Sequence, residues 1–206
     1  MRTHSDSEPP AKRDLQREET RSRVYESALE IFRRDGVVEA RIDDIARLAG
    51  VSRGTFYFHF ATKELVLAER LRVGERKIIA MLSSLPQKTR LIAVLDRVAA
   101  AMAEEWQADP KIFPEVGMVA VRITAARVPG DETDTVRAAL TGHVANAMER
   151  DEINPMLPAD VVSDIFLVNI FAAALSWCGN PVLPLRDVLQ HVVQLFLHGV
   201  ANKPKK

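Results

Sequence analysis

Apolar residues recur at three- and four-residue spacing along nearly the whole chain, and β-branched alternation is almost absent, so the pattern predicts amphipathic helices. The first runs from about Glu18 to Asp35, with Val24, Ala28, Ile31 and Phe32 on one stripe and charge on the other face. Gly36 ends it, because glycine tolerates the left-handed conformation of a helix C-cap. A short second helix covers about Ile42 to Leu48, with Ile42, Ile45, Ala46 and Ala49 inward. Asp43 and Asp44 fall in its first turn, where the helix dipole favours negative charge. Gly50 breaks it. Ser52 is placed to cap a third short helix, about Arg53 to His59, and Thr62 a fourth, long one through about Leu82.

Beyond Leu85-Pro86 the segments become longer, more apolar and less charged. Leu91, Val94, Leu95, Val98, Met102 and Trp106 form one stripe, stopped by Asp109-Pro110. Val116 to Val128 forms a helix closed by Pro129-Gly130, and Thr133 to Arg150 forms the next. A helix from about Ala159 to Cys178 is apolar nearly all round, which calls for burial on more than one side. Pro184 opens the last, to about Val200. The fold class is therefore all-α, about nine helices, with a three-helix head at residues 17–64 and a larger helical domain at 65–202. Residues 1–16 hold almost nothing apolar and are expected to be a disordered arm; residues 203–206 end a short basic tail. No flexible linker separates the two domains, so the boundary is expected on the fourth helix.

The informative stretch is Arg41 to Leu67, RIDDIARLAGVSRGTFYFHFATKELVL. Ala46 and Gly50 stand four apart. A small residue on the second helix admits the third across it, and Gly50 suits the tight turn between them. Ile45, Val51 and Phe56 are expected to fill the small core. This is the spacing of a helix-turn-helix, whose second helix enters a DNA major groove. The run IARLAGVSRGTFYFHFATKE resembles the DNA-binding domain of the tetracycline-repressor (TetR) family, and the preceding helix with Val24, Ala28, Phe32 and Gly36 is similar to that family's first helix. The resemblance covers about Arg17 to Leu71. One departure is Arg41, where members usually carry Thr; Arg cannot accept from the helix N–H groups, but keeps donors for a phosphate.

The resemblance implies a homodimeric transcription factor, most often a repressor. Its two heads would sit in successive major grooves of a palindromic operator in double-stranded DNA, and its larger domain would hold a small-molecule effector site and the dimer interface. An activator or a corepressor-dependent regulator fits the same residues. Arg53 is the expected base reader, since guanidinium pairs bidentately with guanine. Gly54 permits close approach to the groove, and Thr55 is suited to a thymine methyl or a phosphate. Arg41, Ser52, Tyr57, His59 and Lys63 are expected at the phosphate backbone, where contacts position the head without reading sequence. Arg21 and Arg23 are weaker candidates for electrostatic grip.

Charge alone would not have identified this site. The chain has 206 residues, with 28 Lys+Arg against 28 Asp+Glu. Residues 41–63 carry four bases and two acids, and residues 12–23 five bases and three acids. Zero net charge argues against a nucleic-acid coat protein and leaves room for a local basic face. Hydrophobic residues at 47% and charged residues at 27% fit a soluble globular chain. No signal-peptide or bilayer-spanning run is read, and the lone Cys178 can form neither an internal disulfide nor a cysteine metal site, so a reducing cytoplasm is expected. No nucleophile–base spacing, phosphate loop or metal-ligand spacing is read. The expectation is a non-enzyme with no cofactor and no metal.

In the larger domain, Met102, Trp106, Phe113, Met118, Met148, Phe166 and Asn169 are the candidate walls of an apolar ligand site, with Arg122 and His143 weaker and better suited to a solvated face. The helices ending at Cys178 and Val200 are expected to form the homodimer interface. The fourth helix, shared by both domains, is the expected lever between ligand and DNA.

Overall fold

The computed structural model describes residues 10–125, 135–154 and 156–200. Among these the chain forms α1 (Pro10–Asp35), α2 (Ile42–Ala49), α3 (Arg53–His59), α4 (Lys63–Ser84), α5 (Leu91–Gln107), α6 (Phe113–Ala125), α7 (Val136–Glu149), α8 (Ala159–Gly179) and α9 (Leu185–Val200). The chain divides into two units between Leu67 and Ala68, inside α4.

Most boundaries lie within two residues of those predicted. The exceptions are informative. α1 begins at Pro10, eight residues before the expected start at Glu18, and so takes in residues 10–16 of the expected arm. Proline suits a first helical position because its missing N–H is unneeded there. α6 begins at Phe113, three residues early, and α7 at Val136, three residues after the expected Thr133. Val128, Pro129-Gly130, Thr133, the first nine residues of the expected arm and the basic tail lie outside the described residues.

In the first unit, α1 lays Val24, Ala28 and Phe32 against Ile45 and Ala46 of α2 and Phe56 of α3, all nearly or wholly buried. Val51, expected in this core, is only half-buried. Gly36 and Gly50 both adopt positive φ, at 85° and 66°. The Gly50 N–H returns to Arg47 and the Val51 N–H to Ala46, the paired bonds of a Schellman stop. Ser52 Oγ accepts from the Thr55 N–H at 3.0 Å and so starts α3. Arg41 occupies the N-cap of α2 in extended conformation with no side-chain capping bond, as its lack of an acceptor requires.

In the second unit, α5 packs on α9, α7 on α8 and α8 on α9. Their shared core includes Leu95, Val98, Leu140, Val144, Phe166, Ile170, Leu189 and Val193. Thr135 caps α7 by accepting from the Ala138 N–H at 3.1 Å. Past the end of α7, Asp151 takes φ 56°. The Asp151 and Glu152 N–H groups bond back to Met148 and Ala147, closing that helix as Gly50 closes α2. Glu152 Oε2 then accepts the Leu91 N–H at 2.8 Å, serving as a borrowed cap for α5. Burial works against the Glu152 carboxylate, yet the Leu91 N–H and Arg150 outweigh it and hold its pKa below the ordinary value.

Two further features shape the second unit. At Gly117 on α6, a Cβ would fall 2.8 Å from Leu175 Cδ2 of α8, so the missing side chain sets the close approach of these helices. α8, 21 residues long, is apolar enough by length and composition to cross a membrane, contrary to the sequence reading that no run approaches a span. It packs between α7 and α9, however, and Asp160 and Asp164 on its first turns bind Arg137 of α7. Those are the partners of a helix inside a folded domain.

Candidate nucleic-acid interface and ligand cavity

The outward face of the first unit is built on α3. With Phe56 fully buried, Gly54 and Phe58 project on the opposite side, flanked by Tyr57 and Arg53. A Cβ on Gly54 would meet nothing nearer than Ser52 Oγ at 3.6 Å, so its bareness keeps this surface low rather than relieving a clash. Arg53 is exposed but engaged. Its Nη1 donates to Asp43 Oδ1 at 3.3 Å, its Nη2 to Tyr57 Oη at 3.4 Å, and its guanidinium lies 5.7 Å from the Tyr57 ring centroid. The Tyr57 bond first, then the Asp43 charge, raises the Arg53 pKa above its ordinary value. Thr55 shares a hydroxyl bond of 2.8 Å with Ser52.

Lys63, expected at the phosphate backbone, is engaged within the head in the free chain. Its three ammonium donors go to the carbonyls of Val37, Val38 and Ala40 at 2.7, 3.0 and 3.2 Å. Lys has three donors and no more. Here the residue ties the start of α4 to the turn between α1 and α2, rather than offering a free cation to a phosphate.

His59 sits at the junction of α3 with α1. Its carbonyl accepts from Arg21 Nη1 at 3.1 Å, and the Arg21 guanidinium covers the Phe60 ring at 4.3 Å. Burial first, then the charges of Arg17 and Arg21, lowers the His59 pKa, so the imidazole is neutral at neutral pH. A neutral ring offers a phosphate an N–H donor but no charge. Arg21, a candidate for electrostatic grip, is thus part of the α1–α3 packing, while Arg23 is exposed.

Two residues of this face escape a sequence reading. Phe58 is 66% exposed on α3, with Arg17 stacked 5.2 Å from its ring centroid. Asp43 is the acid facing Arg53. An aromatic in an apolar-rich run reads as core, and an Asp in a first turn reads as a dipole partner, so neither announces itself.

The second unit holds a cavity of about 940 Å³ bounded by α4, α5, α6, the start of α7, and α8. This lies within the size range of small-molecule sites, roughly 300–1,000 Å³. Of the predicted wall residues, Met102, Trp106 and Phe113 line it. The other four stand elsewhere, for identifiable reasons. Phe166 is wholly buried against Phe196 in the seam of α8 and α9, with ring centroids 5.3 Å apart. Met148 packs on the main core. Met118 projects outward from α6. Asn169 satisfies its amide within its own helix, Nδ2 donating to the Ile165 carbonyl at 2.7 Å. Arg122 is exposed. His143, expected on a solvated face, is buried instead, its Nε2 3.0 Å from the Leu82 carbonyl.

What the sequence hides is the polar part of the cavity wall. Arg70 of α4 bonds Asp109 Oδ2 at 3.1 Å, Glu105 Oε2 at 3.0 Å and the Glu105 carbonyl at 2.9 Å. Arg137 bonds Asp164 Oδ1 at 2.7 Å and Asp160 Oδ2 at 3.4 Å. These partners lie 23 or more residues apart in the chain, so no local spacing signals them.

The geometry invites comparison with known proteins. A family model described as bacterial regulatory proteins, tetR family, matches residues 24–69, spanning the end of α1 through α3 and into α4. The regulator SrpR of Pseudomonas putida is 51% identical over 57 residues, 26% of this chain and 27% of its own length. The chain therefore matches only about a quarter of that curated relative. Two solved structures share the fold over most of the chain. The FadR repressor of Thermus thermophilus, in complex with lauroyl-CoA, superposes with a TM-score of 0.69 at 22% identity, over 90% of this chain and 98% of its own. SmeT, the repressor of the SmeDEF multidrug efflux pump of Stenotrophomonas maltophilia, gives 0.65 at 16% identity, over 89% and 91%. The matched head and the all-helical architecture agree with what the helix-turn-helix spacing implied: residues 24–69 are those of a DNA-binding head of the tetR family of bacterial regulatory proteins, and the fold of the rest is shared with these two solved repressors.

Proposed function

We propose that this protein is a repressor that binds a palindromic operator as a homodimer and leaves it when a small, moderately hydrophobic molecule fills the cavity of the second unit. The observation that carries the reading is the pairing of an outward α3 face, bearing Arg53, Gly54 and Tyr57, with a largely apolar cavity elsewhere in the same chain. Arg53 reads a base edge, and Arg41, Ser52 and Tyr57 hold phosphates. Lys63 shapes the head rather than touching DNA. FadR and SmeT, which share the fold, are both repressors, and FadR was solved with an acyl-CoA.

Ligand releases DNA only if it binds better to a conformer with wrongly disposed heads. A swing from 1:99 to 99:1 needs about 5.5 kcal/mol of differential affinity. α4 supports such coupling: Arg70, Leu71, Gly74 and Ile78 line the cavity, and the same helix starts at Lys63.

The deciding experiment is selection from random duplex DNA at a stated salt concentration, followed by a salt titration on the winner. Recovery of a two-fold palindrome with half-sites one helical turn apart, roughly 34–36 Å, is the expected result. Weak, sequence-independent binding from protein refolded to strip any ligand would overturn the reading. Adding a cavity ligand to the complex then separates release from the tightening that a corepressor would give.

A further inference from the structure

We infer that Phe58 is a second base reader: its ring packs on the 5-methyl group of a thymine, and Arg17 of α1 holds the ring for that contact. The inference rests on the reading of α3 as the helix that enters the operator's major groove, and adds to it a residue and the base it selects.

Four residues apart, Gly54 and Phe58 share one stripe of α3, opposite the wholly buried Phe56. Gly54 is bare, and a Cβ there would meet nothing nearer than Ser52 Oγ at 3.6 Å. The Phe58 ring therefore stands beside a low stretch of backbone, an apolar step with room next to it. Phe58 is 66% exposed, against 41% for Tyr57. Exposure on this scale leaves a large apolar surface in water until something covers it. The ring is nevertheless held. The Arg17 guanidinium lies 5.2 Å from its centroid, and the His59 ring meets it edge-on with centroids 5.1 Å apart. A cation on the ring and a second ring at its edge restrict its rotamers in the free chain, so less side-chain freedom is lost on binding.

A ring held at this place has one complement among the base edges. In the major groove G, C and A present hydrogen-bond donors and acceptors, while T adds an apolar C5-methyl group. A phenyl ring pressed on a donor, an acceptor or a phosphate oxygen strips its water and supplies no partner. Pressed on the methyl, it removes apolar surface of both groups from water. Thr55, also suited to a thymine methyl, is half-buried and shares its hydroxyl with Ser52 at 2.8 Å. Arg53 and Tyr57 stand to one side of the stripe and bond each other at 3.4 Å. The helix thus presents two kinds of reader: a guanidinium for a guanine, and a ring for a thymine.

The test uses the full chain and the operator recovered by selection. Each thymine of the half-site is replaced in turn by deoxyuridine, which removes the methyl group and keeps every hydrogen-bonding atom. At one position the change is expected to weaken binding about fourfold in one half-site and more than about tenfold in both, the worth of roughly one buried methyl per head. In Phe58→Ala the same change is expected to have no effect. Arg17→Gln should leave a discrimination between those of the parent and Phe58→Ala. Mere loss of a phosphate-binding charge would instead weaken the thymine and deoxyuridine operators alike, and that result would remove Arg17 from the proposal. Both side chains are exposed, so unchanged melting temperatures are the check on folding. Three results overturn the inference and leave the operator reading standing: specific half-sites that share no thymine, a parent indifferent to every deoxyuridine, or a methyl effect that persists in Phe58→Ala. Binding that ignores sequence altogether overturns the operator reading, and the inference with it.

Discussion

In the proposed function Arg53 meets DNA from a defined starting point. In the free chain its guanidinium bridges Asp43 and Tyr57, so reading a guanine means exchanging an exposed, solvent-screened ion pair for a bidentate base contact. Arg53→Ala should relax one position of the operator, at about 1–3 kcal/mol of lost discrimination, measured as binding to a set of single-base variants. Lys63→Ala should behave differently, because three carbonyls lose a charged donor. It should lower head stability by about 1–2 kcal/mol in thermal or denaturant melts and leave base preference unchanged. His59 supplies a pH test. Its folded pKa lies below the unfolded value of about 6.5, so the unfolded chain binds more protons as pH falls through that value. Stability of the head should therefore decline as pH drops below about 6.5, and His59→Gln should flatten that part of the profile. The sequence revealed the types of these residues but not their bonds. Lys63 matches the family motif whether it faces a phosphate or three carbonyls, and only the path of residues 37–40 decides between them.

At the scale of elements, the helices were legible wherever an apolar stripe and a stop signal coincided. α3 is the clearest case, with Ser52 before it and Phe56 and Phe60 on one side. The first two turns of α1 carry no stripe, so they read as a polar arm. The cavity was legible only where apolar residues of α5 and its sequel face inward, at Met102, Trp106 and Phe113. Its polar wall depends on pairs 35 and 39 residues apart, Arg70 with Glu105 and with Asp109, which no helical period encodes. Gly117 tests the link between packing and ligand. Ala there gains about 1 kcal/mol of helix propensity over Gly, and its methyl would meet the mobile end of Leu175 rather than backbone. Leu175 also lines the cavity, so it yields into the ligand's space. Gly117→Ala should leave the melting temperature within a few degrees of the parent while weakening ligand binding, a split that titration and calorimetry on one preparation would resolve.

At the scale of the molecule, α8 carries three distinct faces. Phe166, Ile170 and Ala174 enter the core, and Leu167, Phe171 and Leu175 face the cavity. The third face, Ile165, Asn169 and Ser176, follows helical spacing and is exposed, with Val168 and Ala172 at its border with the cavity, which they also line. Ile165 on it is 41% exposed, and Leu195 of α9 is 74% exposed. Exposed large apolar side chains of this kind are what a subunit interface buries, and a two-fold partner is what a palindrome-reading head needs. Because Ile165 and Leu195 of the proposed interface line neither the core nor the cavity, assembly at this surface can be broken without emptying either. The double variant Ile165→Glu and Leu195→Glu should sediment as a folded monomer. It should lose about 10²-fold or more in affinity for the full palindrome, since two linked heads gain through effective concentration, while binding to an isolated half-site stays near that of the parent. A variant that remained dimeric would move the interface off these two helices. A monomer that kept full palindrome affinity would show that each head binds independently.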